Sequence, residues 1–205
     1  MKQRMDARAL TILALMTALL LVFSLTPVGS IPVGPLVITL NVIPVAVAAV
    51  ALGARGGLAM GCVFGLLSFL QCFGVGVPSG MGAVLVSIDP FLAFIQRFVP
   101  RALDGFLVGA IFSACEKRLG ARPACFVAGF CSAFLNTLLF MSALVLLFGG
   151  TDYVRGLMDG RNVLAFVVAF VGVNALVEMA SSTLITGVVG AALYRAKILP
   201  LGNQR

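Results

Sequence analysis

Long apolar runs separated by short connections make up almost all of this 205-residue chain. Six of the runs come near the ~20 residues that a helix needs to cross the hydrocarbon core of a bilayer. They predict membrane-spanning helices at 10–26, 36–52, 58–73, 98–115, 125–148 and 163–194. Since almost no sequence is left over for a soluble unit, we expect one all-α, six-helix membrane domain over residues 1–205.

The start of the fourth span is the least regular part of the pattern, because Pro100 lies inside it. Proline has no amide proton and cannot continue an unbroken helical ladder, but it is well tolerated in a first helical turn. The sequence therefore favours a regular helix that starts near Pro100, after a short outer helix. The alternative is one span that is kinked at Pro100.

Composition agrees with a membrane location. The chain is 61% hydrophobic and 10% charged, whereas soluble domains are roughly 25% charged. The first run has a basic flank, as a signal peptide has, but no small-residue cleavage site before a polar domain, and more spans follow it. We therefore interpret it as a retained first helix.

Positive charge is distributed unequally between the two sides of the predicted bundle. One side has only Arg155 and Arg161, whereas the other collects ten basic residues, which are Lys2, Arg4, Arg8, Arg55, Lys117, Arg118, Arg122, Arg195, Lys197 and Arg205. By the positive-inside rule, both termini are cytoplasmic and the connections 27–35, 74–95 and 149–161 face outward. These basic residues lie between apolar runs rather than in one patch, so they do not indicate nucleic-acid binding.

The sequence lacks residues that several kinds of catalytic or metal site require. Histidine is absent, which excludes Ser-His-Asp and HExxH arrangements. The five cysteines have no paired spacing, and no Walker-type phosphate loop is present. We expect no metal, no cofactor and no enzymatic activity in this chain.

The last span carries a carboxylate, Glu178, with Asn174 one helical turn before it and Ser181 and Ser182 one turn after it. An ionisable group inside a membrane span is costly and usually faces the bundle interior, so it is a functional-site hypothesis by default. The alternative is that Glu178 pairs with a basic residue of a neighbouring helix and only holds the bundle together.

Polar residues of three spans are predicted to lie at one level. Counting 1.5 Å per residue from the cytoplasmic ends puts Asn136, Arg101 and Glu178 at roughly 18, 21 and 24 Å, in the outer half of a ~30 Å core. Polar residues at one shared depth predict an outward-facing pocket for a small polar solute. The outer connections are then either a lid over this pocket or plain connectors. Arginine favours carboxylate or phosphate ligands. Either one of Arg97 and Arg101 meets an anionic ligand while the other pairs with Asp104, or both form internal ion pairs with Asp104, Glu178 or Asp89.

Short motifs along nearly the whole chain carry a family resemblance. The first span has small residues four apart, Ala14 and Ala18, a spacing that lets another helix approach closely. In order, the further motifs are IPVGP at 31–35, TLNVIPV at 39–45, LGARGG at 52–57, GCVFGLLS at 61–68, DP at 89–90, PR at 100–101, LNT at 135–137 and NALVE at 174–178. In this combination the chain resembles the substrate-binding S component of energy-coupling factor (ECF) vitamin transporters, and most of all the pantothenate-type branch.

The resemblance implies a six-helix bundle in a prokaryotic plasma membrane that captures a vitamin from outside with high affinity. Its partners would be a second membrane subunit, which Ala14 and Ala18 would contact, and two cytoplasmic ATPases. The lid would contain Ile31, Pro32, Gly34, Pro35 and Asp89. The ligand would be bound by Asn41, Arg97, Arg101, Asn136, Asn174 and Glu178.

The sequence leaves open an alternative for the ligand and an alternative for the transport mechanism. Riboflavin- and folate-type members share the same bundle. A different class of function is a secondary carrier for a small polar solute, driven by an ion gradient, with Glu178 as the proton-coupling site.

Overall fold

The fold is a bundle of long helices with one small β-hairpin, as seen in a computed structural model that describes residues 7–33, 36–196 and 199. The hairpin pairs β1 (Ser30–Val33) with β2 (Leu36–Thr39) in antiparallel register. One turn of 3-10 helix, Gln71–Phe73, precedes α3. The helices are α1 (Ala7–Leu25), α2 (Val42–Leu70), α3 (Gly80–Ile88), α4 (Pro90–Leu119), α5 (Ala121–Phe148), α6 (Asp152–Met158) and α7 (Val163–Arg195).

Five helical segments of the described residues are long and apolar enough to cross a membrane, which agrees with the predicted multi-pass helical protein. They are Ala7–Leu25, Val42–Phe73, Pro90–Leu119, Ala121–Phe148 and Asn174–Arg195. The prediction for 36–52 is wrong at its first residues, because Leu36–Thr39 forms strand β2 and the helix begins only at Val42.

The preferred prediction for the fourth span is also wrong. Helix α4 begins at Pro90 and runs through Pro100 to Leu119 as one element. Its start is fixed by Asp89, whose Oδ1 accepts hydrogen bonds from the backbone N–H groups of Phe91 and Leu92, both at 2.9 Å. Pro90 fills the first helical position, where a missing N–H costs nothing. The capping pair Asp89-Pro90 therefore starts the helix, ten residues before Pro100.

Helix α2 reverses direction at Gly53, whose backbone is not helical (φ 69°, ψ −163°). A Cβ atom built on Gly57 would lie only 2.9 Å from the Cβ of Ala49. In a straight helix, residues eight apart are ~12 Å apart along the axis, so the two halves of α2 fold back on each other. The break falls in the predicted turn 53–57.

A glycine seam joins the second half of α2 to α4. Gly57, Gly61 and Gly65 recur every four residues and so lie on one face of the helix. A Cβ on Gly57 would overlap the carbonyl oxygen of Gly105, and one on Gly61 would overlap that of Arg101. The two backbones therefore touch, as small residues allow between membrane helices.

The first half of α2 is the centre of the bundle, since every residue from Val42 to Ala51 is buried. On its far side α5 and α7 pack closely, and Ser182 Oγ donates to the carbonyl oxygen of Gly129 at 2.8 Å. At one end of the bundle, Tyr194 Oη of α7 donates to Glu116 Oε1 of α4 at 2.7 Å.

This end, which we call the basic end, also holds the Gly53 reversal and the start of α5. The basic residues Arg8, Arg55, Lys117, Arg118, Arg122 and Arg195 lie there at the ends of helices or in the turns between them.

The glycine seam gives a direct test of the packing. Gly57→Ala puts a methyl group into the contact with the Gly105 backbone, where neither side can yield easily, and should cost ~2 kcal/mol or more, near the upper range for overpacking. Thermal unfolding of the purified chain in detergent measures the loss.

Gly156→Ala in α6 is the matched control, because no atom lies within 4 Å of the added methyl group. It should leave the unfolding temperature unchanged or raise it slightly, since alanine favours a helix over glycine. An equal loss of stability in Gly57→Ala and Gly156→Ala would contradict a close backbone contact at the seam.

Candidate functional site

A cavity opens at the end of the bundle opposite the basic end. The space open to the centre of a water molecule is about 120 Å³. By the same measure a single water needs ~10–15 Å³, so the cavity is large enough for a small solute. The walls include all six predicted ligand-binding residues, namely Asn41, Arg97, Arg101, Asn136, Asn174 and Glu178. The structure thus brings these residues together, and their binding of a ligand stays a prediction.

Both arginines of the cavity are buried on α4, with residue exposures of 6% each. Arg97 Nη2 donates to Ser79 Oγ at 3.0 Å, and Arg101 Nη1 donates to the carbonyl oxygen of Arg97 at 2.9 Å. The ring of Phe140 lies 5.1 Å from the Arg97 guanidinium carbon and 5.0 Å from that of Arg101. Arg101 also lies over Phe64, at 4.7 Å. Aromatic faces and neutral oxygens therefore surround the two cations.

Neither arginine forms an ion pair in the described part of the chain. An ion pair that does form there is the surface contact of Arg161 with Asp159, at 3.8 Å. The Nε atoms of Arg97 and Arg101 are both buried and have no hydrogen-bond partner among the described residues. Among the described residues, neither arginine thus pairs with Asp104, Glu178 or Asp89 within 4.0 Å, and donor capacity remains for a ligand.

Asp104, a candidate ion-pair partner of the two arginines, lies deeper in the bundle and does not line the cavity. It is fully buried. Its Oδ2 accepts a long hydrogen bond from Ser132 Oγ at 3.4 Å, and its Oδ1 has no partner in the part of the chain that the structure describes. The spacing of three residues on one helix was not enough to bring the Asp104 carboxylate onto the Arg101 guanidinium.

Glu178 connects the last helix to the β-hairpin. Its Oε1 accepts a hydrogen bond from the backbone N–H of Thr39 at 2.7 Å, at the end of β2. Thr39 Oγ1 in turn accepts from the N–H of Asn41 at 3.1 Å. No cation lies within 4.0 Å of the Glu178 carboxylate among the described residues. The sequence-based alternative, a purely structural ion pair of Glu178, is therefore not formed there.

The predicted lid residues fall into three groups. Gly34 and Pro35 lie outside the described residues, and Ile31 and Pro32 belong to β1, whose backbone alone is described. Asp89 caps α4 and is not part of the cavity wall. Their closure over a ligand stays a prediction.

Sequence reasoning missed part of the cavity wall. Ser79 caps α3, where its Oγ accepts from the N–H of Gly82 at 3.1 Å, and it binds Arg97 as well. Phe140 lies one helical turn after Asn136, a signal that the spacing on α5 contained. Ser181 and Ser182, which share the helix with Glu178, bond to backbone carbonyls instead and do not line the cavity.

Helix α1 lies on the outside of the bundle and is mostly exposed. Ala14 and Ala18 both lie on its exposed surface.

The described residues contain no cluster of three or more potential metal-ligating side chains. The cavity thus combines two guanidinium groups, one carboxylate, amides, hydroxyls and aromatic rings, which suits a small polar ligand with one net negative charge.

Comparison with known proteins supports the motif-based resemblance. The model of the family "ECF transporter, substrate-specific component" matches residues 8–190. The chain is 28% identical over 213 residues to the pantothenic acid transporter PanT of Lactococcus lactis subsp. cremoris, covering 95% of this chain and 98% of that protein. It is 29% identical over 207 residues to the pantothenate transporter PanT of Leuconostoc mesenteroides subsp. mesenteroides, covering 95% and 94%. The chain therefore belongs to the family of substrate-specific components of ECF transporters, and its resemblance to the pantothenate-type branch is confirmed.

Proposed function

We propose that this chain is the S component that captures pantothenate for an ECF-type importer in a prokaryotic plasma membrane. The observation that carries the proposal is the pair of buried guanidinium groups on the cavity wall, with unpartnered Nε atoms and no carboxylate within 4.0 Å in the described part of the chain. A buried cation without a counter-ion is costly unless a ligand supplies the negative charge. Two relatives of nearly the same length are named as pantothenate transporters.

The chemistry of pantothenate fits the groups of the cavity. Its carboxylate can accept charge-assisted hydrogen bonds from Arg97 and Arg101. Its amide and its two hydroxyl groups need the donors and acceptors that Asn41, Asn136 and Asn174 provide. Its two methyl groups can contact the ring of Phe64 or of Phe140, which also line the cavity.

The Gly53 reversal supports a membrane arrangement with both termini on the same side. Because the two halves of α2 run in opposite directions, the chain would pass through the bundle six times, an even number. The basic end would be cytoplasmic by the positive-inside rule. The cavity, at the opposite end, would then open outward, where a vitamin is captured.

Uptake would require partners, namely a membrane coupling subunit and two cytoplasmic ATPases. Support comes from α1, whose small residues Ala14 and Ala18 are exposed one turn apart and would let another helix approach closely. The chain itself has no phosphate-binding loop for ATP.

Ligand-dependent thermal stability of the purified chain in detergent tests the proposal, with pantothenate, riboflavin and folate compared. Pantothenate at 1,000 times its dissociation constant should add ~4 kcal/mol to a reversible unfolding equilibrium. A shift with riboflavin or folate alone would keep the family and discard the ligand. Gradient-driven uptake by the chain alone in liposomes would instead favour a secondary carrier.

Arg101→Ala should weaken pantothenate binding by ~1.5–3 kcal/mol, or roughly 10- to 150-fold, because a charge-assisted hydrogen bond is lost. Isothermal titration of the purified variant measures the change. Arg161→Ala is the matched control, since this arginine pairs with Asp159 on the surface and should not affect binding. Normal binding by Arg101→Ala with lower stability would assign Arg101 to the structure alone.

The variant Asp104→Asn tests whether Asp104 balances the charge of Arg101 or leaves the arginines available to bind a ligand. Without an ion pair, the amide can keep the contact with Ser132, and the free energy of unfolding should change by less than ~1 kcal/mol or rise. If Asp104 balanced the charge of Arg101, breaking the pair would cost ~3–5 kcal/mol. Thermal unfolding in detergent decides between the two results.

Ala14→Trp should leave pantothenate binding unchanged and block uptake when the coupling subunit and ATPases are present, because the bulky ring prevents close approach of another helix. Leu146→Trp, at a position of α5 that is 82% exposed, is the control and should affect neither property. Loss of binding in Ala14→Trp, or normal uptake, would contradict a docking role.

A further inference from the structure

The charged groups of the cavity lie on two different helices. Arg97 and Arg101 are on α4, whereas Glu178 is on α7. Each of these helices packs against α2 and α5, and the described residues of α4 and α7 form no extended interface with each other. The bond between Tyr194 and Glu116 joins them at the basic end, far from the cavity. At the cavity end they therefore form separate walls.

The two walls have opposite charge. On the α4 wall, the two guanidinium groups are supplemented by the Ser79 hydroxyl. On the α7 wall, Glu178 is accompanied by Asn174 one turn earlier on the same helix. No guanidinium nitrogen lies within 4.0 Å of the Glu178 carboxylate in the described part of the chain, so the opposite charges do not cancel in a direct pair.

Among the described residues, one carboxylate oxygen of Glu178 accepts a hydrogen bond and the other does not. Oε1 accepts from the N–H of Thr39. No hydrogen bond to Oε2 is formed within the described residues, and this atom is not among the fully buried unpartnered ones. Since Glu178 lines the cavity, Oε2 is an acceptor that a ligand can reach. A carboxylate accepts hydrogen bonds and cannot donate them, so it calls for a hydroxyl or N–H group on the ligand.

We propose that Glu178 determines ligand specificity by selecting a molecule with one negatively charged end and one uncharged, hydroxyl-bearing end. This inference rests on the proposed function and fixes the orientation of pantothenate in the cavity. The β-alanine carboxylate points to Arg97 and Arg101, and the hydroxyl groups of the other end point to Glu178. Pantothenate that carries a phosphate on its primary hydroxyl is then rejected, because the phosphate would face the Glu178 carboxylate.

The physical reason for rejection is charge rather than shape. Like charges placed against each other in a desolvated site cost several kcal/mol, and each ~1.4 kcal/mol is a factor of ten in affinity. Glu178→Gln removes the charge and keeps an oxygen that can accept from the N–H of Thr39. It therefore separates repulsion of the phosphate from loss of the hairpin contact.

The test is isothermal titration of the detergent-purified full chain with three probes, which are pantothenate, its phosphate ester and pantothenyl alcohol. The wild-type chain should bind pantothenate at least ~100-fold more tightly than the ester. Glu178→Gln should reduce this ratio at least tenfold. Glu116→Gln, the control on α4 at the basic end, should leave the ratio unchanged.

The third probe tests the α4 wall, which carries the two arginines. Pantothenyl alcohol lacks the carboxylate, so the wild-type chain should bind it more weakly than pantothenate, and Arg101→Gln should remove most of that preference. This arm does not depend on the folding of the Glu178 variant. An unchanged preference in Arg101→Gln would overturn the proposed orientation.

Three further results distinguish failure of the proposed role of Glu178 from failure of the proposed function. If the wild-type chain binds pantothenate but Glu178→Gln rejects the phosphate ester as strongly as before, the cavity excludes the ester by size and the role of Glu178 is overturned alone. If Glu178→Gln binds pantothenate more tightly than the wild type, the carboxylate lies beside Glu178 and the orientation is reversed. If the wild-type chain does not bind pantothenate at all, the proposed function and this inference both fail.

Discussion

Two positive charges buried in an apolar bundle are the constraint on which the rest of the site depends. Arg97 and Arg101 lie one turn apart on α4 and repel each other, and neither has a carboxylate within 4.0 Å among the described residues. The Phe140 ring lies within 5.1 Å of both guanidinium carbons, and an aromatic face stabilises a desolvated cation by ~2 kcal/mol or more. Neutral oxygens of Ser79 and of the Arg97 backbone take one donor each. This compensation is partial, and an anionic ligand would complete it.

The position of α4 in turn depends on the glycine seam. Because Gly57 and Gly61 have no side chain, the α4 backbone lies directly against the second half of α2. That contact brings Phe64 of α2 over the Arg101 guanidinium. Larger residues in the seam would move α4 outward and separate the cation from the ring. The glycines thus act on the cavity without lining it.

The sequence predicted the site better than it predicted the connections, for physical reasons. Counting residues placed Arg101, Asn136 and Glu178 at one level because regular helices rise by a constant amount per residue, and the three do line one cavity. At Leu36–Thr39 the apolar run has no period that separates strand from helix, so the hairpin was missed. At Pro100 the expected helix break competes with the Asp89-Pro90 cap, which is the stronger local signal because it bonds the first N–H groups of α4. The spacing of Arg101 and Asp104 puts both on one helix face but does not show where each side chain points.

The exposed first helix is connected to the cavity by a short series of hydrogen bonds. Near the end of α1, the carbonyl oxygen of Ser24 accepts from Gln71 Nε2 at 3.0 Å. The carbonyl oxygen of Gln71 accepts from the N–H of Ser79 at 3.1 Å, and Ser79 Oγ accepts from Arg97. A displacement of α1 away from the bundle would therefore strain the contact that orients one of the two arginines. The helix that carries the surface proposed for a coupling subunit is thus bonded through Gln71 and Ser79 to Arg97, so a helix that lines no part of the cavity can still act on it.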